Sequence, residues 1–582
     1  MSTSKHIDII CVVALLCTLL VAVLFMNGKA LGVAAVTDGD DGDSPFTAND
    51  RNAGWNSANA TRITLTGGGG HVRGNGAYIY DGDVHIVYAG EYVLSGELAN
   101  GSVIIDADGD DKIWLLLDGV SLHCDDGAAI LVEQAKKVFL TLADGKSNTV
   151  SSGASYSKDA VSAKIDGVIY SRDNLTINGS GSLSVTAEYQ HGIVCNDNLV
   201  IVGGNIDIAA AQDGIHANDS ASFADVNLTI NAGDDGVTVS NDDETAYIYV
   251  ESGHISIPSC YEGMEAASIT IAGGVIDIRS TDDGINANGR GGNSAIRIDG
   301  GEITIINEAG RDADGLDSTG SIDISGGNLF ISVNGNGGSA AIDYGSEHGG
   351  VCRISGGTVV AAGSSTMAEG FDSSSEQCFI MYNTSIAPAG TTVVLNNEAG
   401  TTLISETIPC SFSSVVISTP ELRLGEVCTI SVGGSSAEIT VDNSSGSNGF
   451  GMGGRFGGGK QGGDGFPGGM FDGRQGMGST GTADGQLNLS TTAVNTGRGE
   501  MPQMPDGGGI PDGELPQMPG GGFRNGGNRR GDQFTQWGQG QDWTQGGTTG
   551  EAAAVLPGAL IPVGISVLFL LAGIVIALKV KH

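Results

Sequence analysis

"RSTDDGINANG" spans Arg279–Gly289 and sets two adjacent aspartates, Asp282 and Asp283, before a glycine and an alternating Ile285-x-Ala287. In isolation Asp-Asp-Gly is a turn, because both residue types accept sharp corners. The element recurs, however, as "QHGIVCND" at Gln190–Asp197, "QDGIHAND" at Gln212–Asp219 and "DDGVTVSND" at Asp234–Asp242. Weaker copies begin at Ile165, Tyr261, Ala313 and Ala368. The residue before the glycine is Asp166, His191, Asp213, Asp235, Glu262, Asp283 and Asp314, with Glu369 two repeats later. The steps run about 21–31 residues, inside the usual range for solenoids.

A second element follows each corner. It reads "LVIVGGNIDIA" at Leu199–Ala209, "ITIAGGVIDIR" at Ile269–Arg279, "IRIDGGEITII" at Ile296–Ile306, "IDISGGNLFIS" at Ile322–Ser332 and "CRISGGTVVAA" at Cys352–Ala362. Apolar residues alternate on both sides of a Gly-Gly, so each copy is two strands joined by a tight corner. The short run after the acidic corner supplies a third strand. Three strands and three corners per repeat predict an all-β fold, a right-handed parallel β-helix, with coils over residues 70–380. A sandwich of antiparallel hairpins would not need the same residue type at the same phase of every unit. Asn196, Asn218 and Asn288 each follow the corner by five residues and are expected to stack as an amide ladder.

The flanks have other compositions. Residues 1–36 carry an apolar run from Ile7 to Met26, read as a signal peptide or an uncleaved anchor. Residues 37–69 form a lead-in, and 381–442 a small C-terminal β unit that closes the solenoid. Residues 443–550 are rich in Gly, Gln, Met and Pro, which cannot bury a core, and are expected to be a disordered stalk. Residues 555–580 are the expected transmembrane helix, and Lys579, Lys581 and His582 place its end inside. The body is then expected at the extracellular face of the cell membrane.

The formal net charge of −40 makes nucleic acid an unexpected partner, because phosphate binding requires Lys and Arg patches. No Cys-x-x-Cys occurs, so zinc-ribbon and thioredoxin readings are poor, and Cys410 with Cys428 is the candidate disulfide.

"YVLSGELANGSVIIDADGDDKIWLLLDGVSL" (Tyr92–Leu122), the Asp-Gly-Ile corners and "TPELRLGEVCTISVGG" (Thr419–Gly434) resemble a family of cell-surface carbohydrate-binding β-helices. That resemblance covers roughly residues 60–440. It implies a pectate-lyase-like fold, bound calcium, and a polysaccharide partner of the pectin or cellulose kind.

The residues point the same way. Coils stack about 4.8 Å apart, where carboxylates repel by roughly 3–4 kcal/mol per pair at an effective dielectric near 20. A cation between them removes that cost, and calcium takes six to eight such oxygens. The candidate ligands are Asp234 with Asp235, Asp282 with Asp283, and Asp312 with Asp314, with Glu262 bridging the first two pairs. Solvated turn carboxylates without an ion are the plainer alternative. Neutral glycans are usually held by aromatic faces, and Trp55, Trp114, Trp537 and Trp543 are expected to lie outside the regular coils. Tyr247, Tyr249 and Tyr261 would make a smaller platform. Acidic glycans bridged by calcium are therefore favoured. A polysaccharide lyase is the alternative, with Arg279, Arg290 or Arg311 as base beside the metal. A structural surface protein or adhesin is another. Binding without turnover is the preferred reading, with no catalytic residue assigned.

Overall fold

The computed structural model describes residues 44–54, 59–289, 294–309 and 313–442. The expected signal or anchor segment, stalk and transmembrane helix lie outside these residues. Among the described residues no helix is long and apolar enough to cross a membrane.

The described chain forms a parallel β-solenoid of about 10 turns. One coil illustrates the rest. Ile285–Ala287 lies on the third face, Ala295–Ile298 on the first, and Glu302–Asn307 on the second. The chain then turns at Asp314-Gly315 and re-enters the third face as Leu316–Ser318. The third face is a 12-stranded sheet running from Ala77–Tyr80 to Ile342–Tyr344.

Register makes the core. Ile276, Ile303, Leu329 and Val359 are successive direct partners on the second face, and Ile269, Ile296, Ile322 and Cys352 on the first. All eight are buried. Fully burying such a side chain is worth about 1.5–3 kcal/mol, and alternation delivers two or three per strand to the interior. The Gly-Gly corner joins the first and second faces, and its second glycine takes a left-handed backbone, with φ of 95° at Gly274 and Gly301. Glycine adopts this without steric cost.

The ends are closed by antiparallel pairing. At the start, Thr61–Gly67 pairs with Gly70–Arg73, and Ala77–Tyr80 with Asp83–Ile86. The region around residues 103–132 is already solenoid: Lys112–Cys124 pairs in parallel with Gly90–Leu98 and Lys137–Leu142. Trp114 sits in that strand and stacks on Phe139 at 5.4 Å, so it belongs to the coils rather than outside them. At the far end, Phe412–Ser418 runs antiparallel to the last coil strand Thr358–Gly363, beside a four-stranded antiparallel sheet within Thr391–Thr440.

The lead-in is partly docked. Asp50 is wholly buried, and its Oδ1 meets Lys137 Nζ at 2.7 Å and accepts the Thr176 hydroxyl at 2.5 Å. Cys410 and Cys428 are both free thiols. The expected disulfide is absent because they serve different packing sites: Cys410 Sγ approaches the carbonyls of Asn307 and Ser332, whereas Cys428 lies in the four-stranded sheet.

The asparagine ladder also forms elsewhere. Asn196 donates to the Tyr170 hydroxyl at 3.0 Å, and Asn288 to Glu265. Amides that do stack are Asn174 and Asn198, at 3.0 Å, continued by Ser220 on Asn198, and Asn227 on Asn205.

Candidate functional site

From Asp213 to Asp314 each acidic corner precedes a three-residue strand of the third face, whose central residue points outward. The corner residue and the one three positions later therefore meet within one coil. His216 Nδ1 is 2.9 Å from Asp213 Oδ2, and the Thr238 hydroxyl donates to Asp235 Oδ2 at 3.0 Å. Outward centres also stack between coils: His216, Thr238, Glu265, Asn286, Asp317 and Asp343 are successive register partners. Two columns of polar side chains thus run side by side along this face.

The corner carboxylates also serve the backbone. Asp213 Oδ1 accepts the N–H of Asp235 at 3.2 Å, Asp235 Oδ1 that of Glu262 at 3.0 Å, and Asp283 Oδ1 that of Asp314 at 2.7 Å. The glycine after each corner is required by close stacking rather than by its φ. A Cβ on Gly284 would collide with Ile305 and with the carbonyl oxygen of Gly315 one coil on.

Confinement and mutual repulsion change the ionisation of this row. Burial pushes Glu262 up to about 9, helped by Glu265. Burial likewise holds Asp314 at about 8, with Asp283 and Asp343 adding repulsion, and Asp317 at about 6, with Asp343 and Glu347 adding to it. Asp235 is pushed to about 6 by burial and the charges of Asp213 and Glu265, and Glu369 to about 7 by burial and Asp343. Asp213 is the exception. Burial opposes ionisation there as well, but hydrogen bonds and charge from His191 and His216 hold it below the ordinary carboxylate range.

The predicted ligand pairs fare differently. Asp234 and Asp235 do converge, with Asp213 from the preceding coil, so that one ligand oxygen from each lies within 4.8 Å of the others. Asp314 converges with Asp317 and Asp343. Its predicted partner Asp312 lies outside the described residues, as do Arg290 and Arg311. Asp282 and Asp283 diverge: Asp283 reaches the next coil's backbone, whereas Asp282 bonds the Tyr261 hydroxyl. Glu262 does sit between its neighbours, accepting from Asn286 Nδ2 at 3.0 Å while its own N–H reaches Asp235. Asp166 is one residue out of phase, since Gly167 rather than Asp166 registers with His191.

Sequence reasoning missed Asp317, Asp343 and Glu265 as site residues. The signal for Glu265 and Asp317 was a polar residue three positions after the corner, as in "EGME" and "DGLD"; Asp343 follows Ala340-Ala341 and lacks it. It also missed exposed aromatics near the solenoid's start: Tyr78, Tyr80 and Tyr88 are 48%, 71% and 66% exposed. Of the tyrosines it named, Tyr249 packs on Phe46 at 6.0 Å, and Tyr261 is 47% exposed. Arg279 is exposed and lies 4.0 Å from Glu308.

Fold and site together define a parallel β-helix with an acidic outer face. Residues 80–338 match the family model described as "Carbohydrate-binding domain-containing protein". The resemblance read from the sequence is thereby shown for the region that holds most of the acidic row. A relative from Acetivibrio thermocellus with the same description is 36% identical over 137 residues, 23% of this chain and 48% of that protein. The chain therefore spans about half the length of this relative. A solved structure described as a polysaccharide lyase-like protein from C. thermocellum, a gadolinium derivative, is 26% identical. It covers 46% of this chain and 96% of its own, with a TM-score of 0.38.

Proposed function

We propose that the region of about residues 60–440 is a non-catalytic, calcium-dependent polysaccharide-binding body displayed at the extracellular face of the cell membrane. The carbohydrate-binding family match supports the polysaccharide partner. The observation that carries the calcium reading is the convergence of Asp314, Asp317 and Asp343, two of them pushed well above the ordinary carboxylate range by burial and by one another. Oxygen donors at that spacing suit a hard divalent cation, and calcium retains open positions that a ligand's carboxylate can fill. The group of Asp213, Asp234 and Asp235 is a second position of the same kind. A uronate polymer then binds through ions shared with the protein, which removes the repulsion expected between two acidic molecules. Because the coils repeat at a fixed spacing, weak contacts add along one extended chain.

Neutral, cellulose-like glucan is the second reading, and the exposed Tyr78, Tyr80 and Tyr88 favour it as stacking surfaces. Affinity electrophoresis of the chain in gels containing polygalacturonate, soluble glucan or no polymer tests both. Calcium-dependent retardation in the first gel supports the proposal, and retardation in glucan alone supports the second reading. Equal mobility in all three gels rejects glycan binding. Accumulation of unsaturated uronate products would replace binding with lyase activity.

A further inference from the structure

Beyond the carboxylate groups, two imidazoles converge on one aspartate at the N-terminal end of the acidic row. His191 occupies the corner position one coil before Asp213, and His216 is the outward centre of the strand that Asp213 introduces. Nδ1 of His191 lies 3.1 Å, and Nδ1 of His216 2.9 Å, from the same oxygen, Asp213 Oδ2. The side chains of His191 and Asp213 are 13% and 7% exposed, and that of His216 is 30% exposed. The site is thus sheltered on two sides and open on the third.

We propose that His191, His216 and Asp213 bind one divalent first-row transition metal ion, of the zinc, cobalt or nickel kind, at a site that shares Asp213 with the second carboxylate group and differs from it in its two imidazoles. Imidazole nitrogens suit these borderline ions, whereas calcium takes oxygen. The spacing suits them too: donors about 2.0–2.2 Å from a common ion stand roughly 3 Å from one another.

A further observation bears on the site: Asp166 Oδ1 is buried and has no hydrogen-bond partner. Its carbonyl accepts the N–H of His191 at 3.0 Å. Through that contact Asp166 helps to fix the His191 backbone at the corner. Water occupies the remaining positions on the side where His216 is open.

The test is a cobalt titration of the full chain, purified in mild detergent, stripped with chelator and held in excess calcium. The expected result is one Co²⁺ per chain with visible ligand-field bands. His191→Gln and His216→Gln should each weaken binding at least about tenfold, while Glu308→Gln, at an exposed carboxylate outside all of these groups, leaves it unchanged. Displacement of cobalt by calcium, or unaltered affinity in the double histidine variant, overturns the proposal and leaves the imidazoles as proton-bearing partners of Asp213. Where a variant fails to fold, X-ray absorption of the zinc-loaded wild-type chain decides. A first shell with two imidazoles supports the site, and an oxygen-only shell overturns it.

Discussion

Asp283 Oδ1 accepts the backbone N–H of Asp314, one coil further on, at 2.7 Å. The corner aspartate therefore has two roles, as an acceptor for a buried N–H and as a charge, and substitution can separate them. Asp283→Asn retains an acceptor and removes the charge. It should fold normally, melt at the same temperature as wild type or higher in chelator, and show a smaller rise on adding calcium. Asp283→Ala leaves the N–H unpaired and should cost about 1–3 kcal/mol with or without calcium. Denaturant unfolding in both conditions separates the roles. An undiminished calcium response in the asparagine variant would leave backbone capping as the whole function of Asp283.

The pH dependence follows from the raised carboxyls. Glu262, Asp314, Glu369, Asp235 and Asp317 hold protons in the folded state up to about 9, 8, 7, 6 and 6. The unfolded chain releases them near the ordinary value of about 4. Between those values the native state binds more protons than the unfolded state, so stability falls as pH rises. His216, also raised, acts in the same direction. Asp213, held low, contributes stability that is lost only in acid, below the ordinary carboxylate range. In chelator, unfolding midpoints should therefore decline from about pH 5 to about pH 9, and calcium should flatten the decline by favouring the ionised forms. Midpoints that rise over this range without calcium would contradict the assignment.

The corner glycines should tolerate no side chain. Gly284→Ala places a methyl group against Ile305 and the Gly315 carbonyl, both fixed by the stacked coils. Overpacking of this kind costs about 1–3 kcal/mol. By contrast, Gly400→Ala lies in a loop where a Cβ meets nothing within 4 Å, and only its left-handed φ of 78° is strained. A larger loss at Gly284 than at Gly400, measured by thermal unfolding, is the expected order.

The exposed tyrosines separate the two glycan classes. Replacing Tyr80 and Tyr88 by Ala should reduce retardation in glucan gels. Base stability should change little, because both rings are mostly exposed, at 71% and 66%. Retardation in polygalacturonate should persist if acidic glycans bind through the calcium positions. Loss in both gels would place both ligands on the aromatic surface.

Much of this molecule was legible in the chain. Alternation of period two gave the strands, Gly-Gly the corner between the first and second faces, and the recurring acidic-Gly pair the phase of the repeat. These are local signals, because in a strand every second side chain faces the same way. The convergence of carboxylates was not legible, because it depends on register between distant segments. Asp282 and Asp283 are adjacent in sequence yet take different partners, for consecutive side chains at a strand end point apart. Asp317 and Asp343 are far apart in sequence yet are direct cross-coil partners, and Asp314 joins them from the corner. Coil lengths vary, so sequence spacing alone does not say which residues stack. That was decided by the packing of the isoleucine columns inside, which fixes every coil's register and so selects which charges on the outer face must lie together.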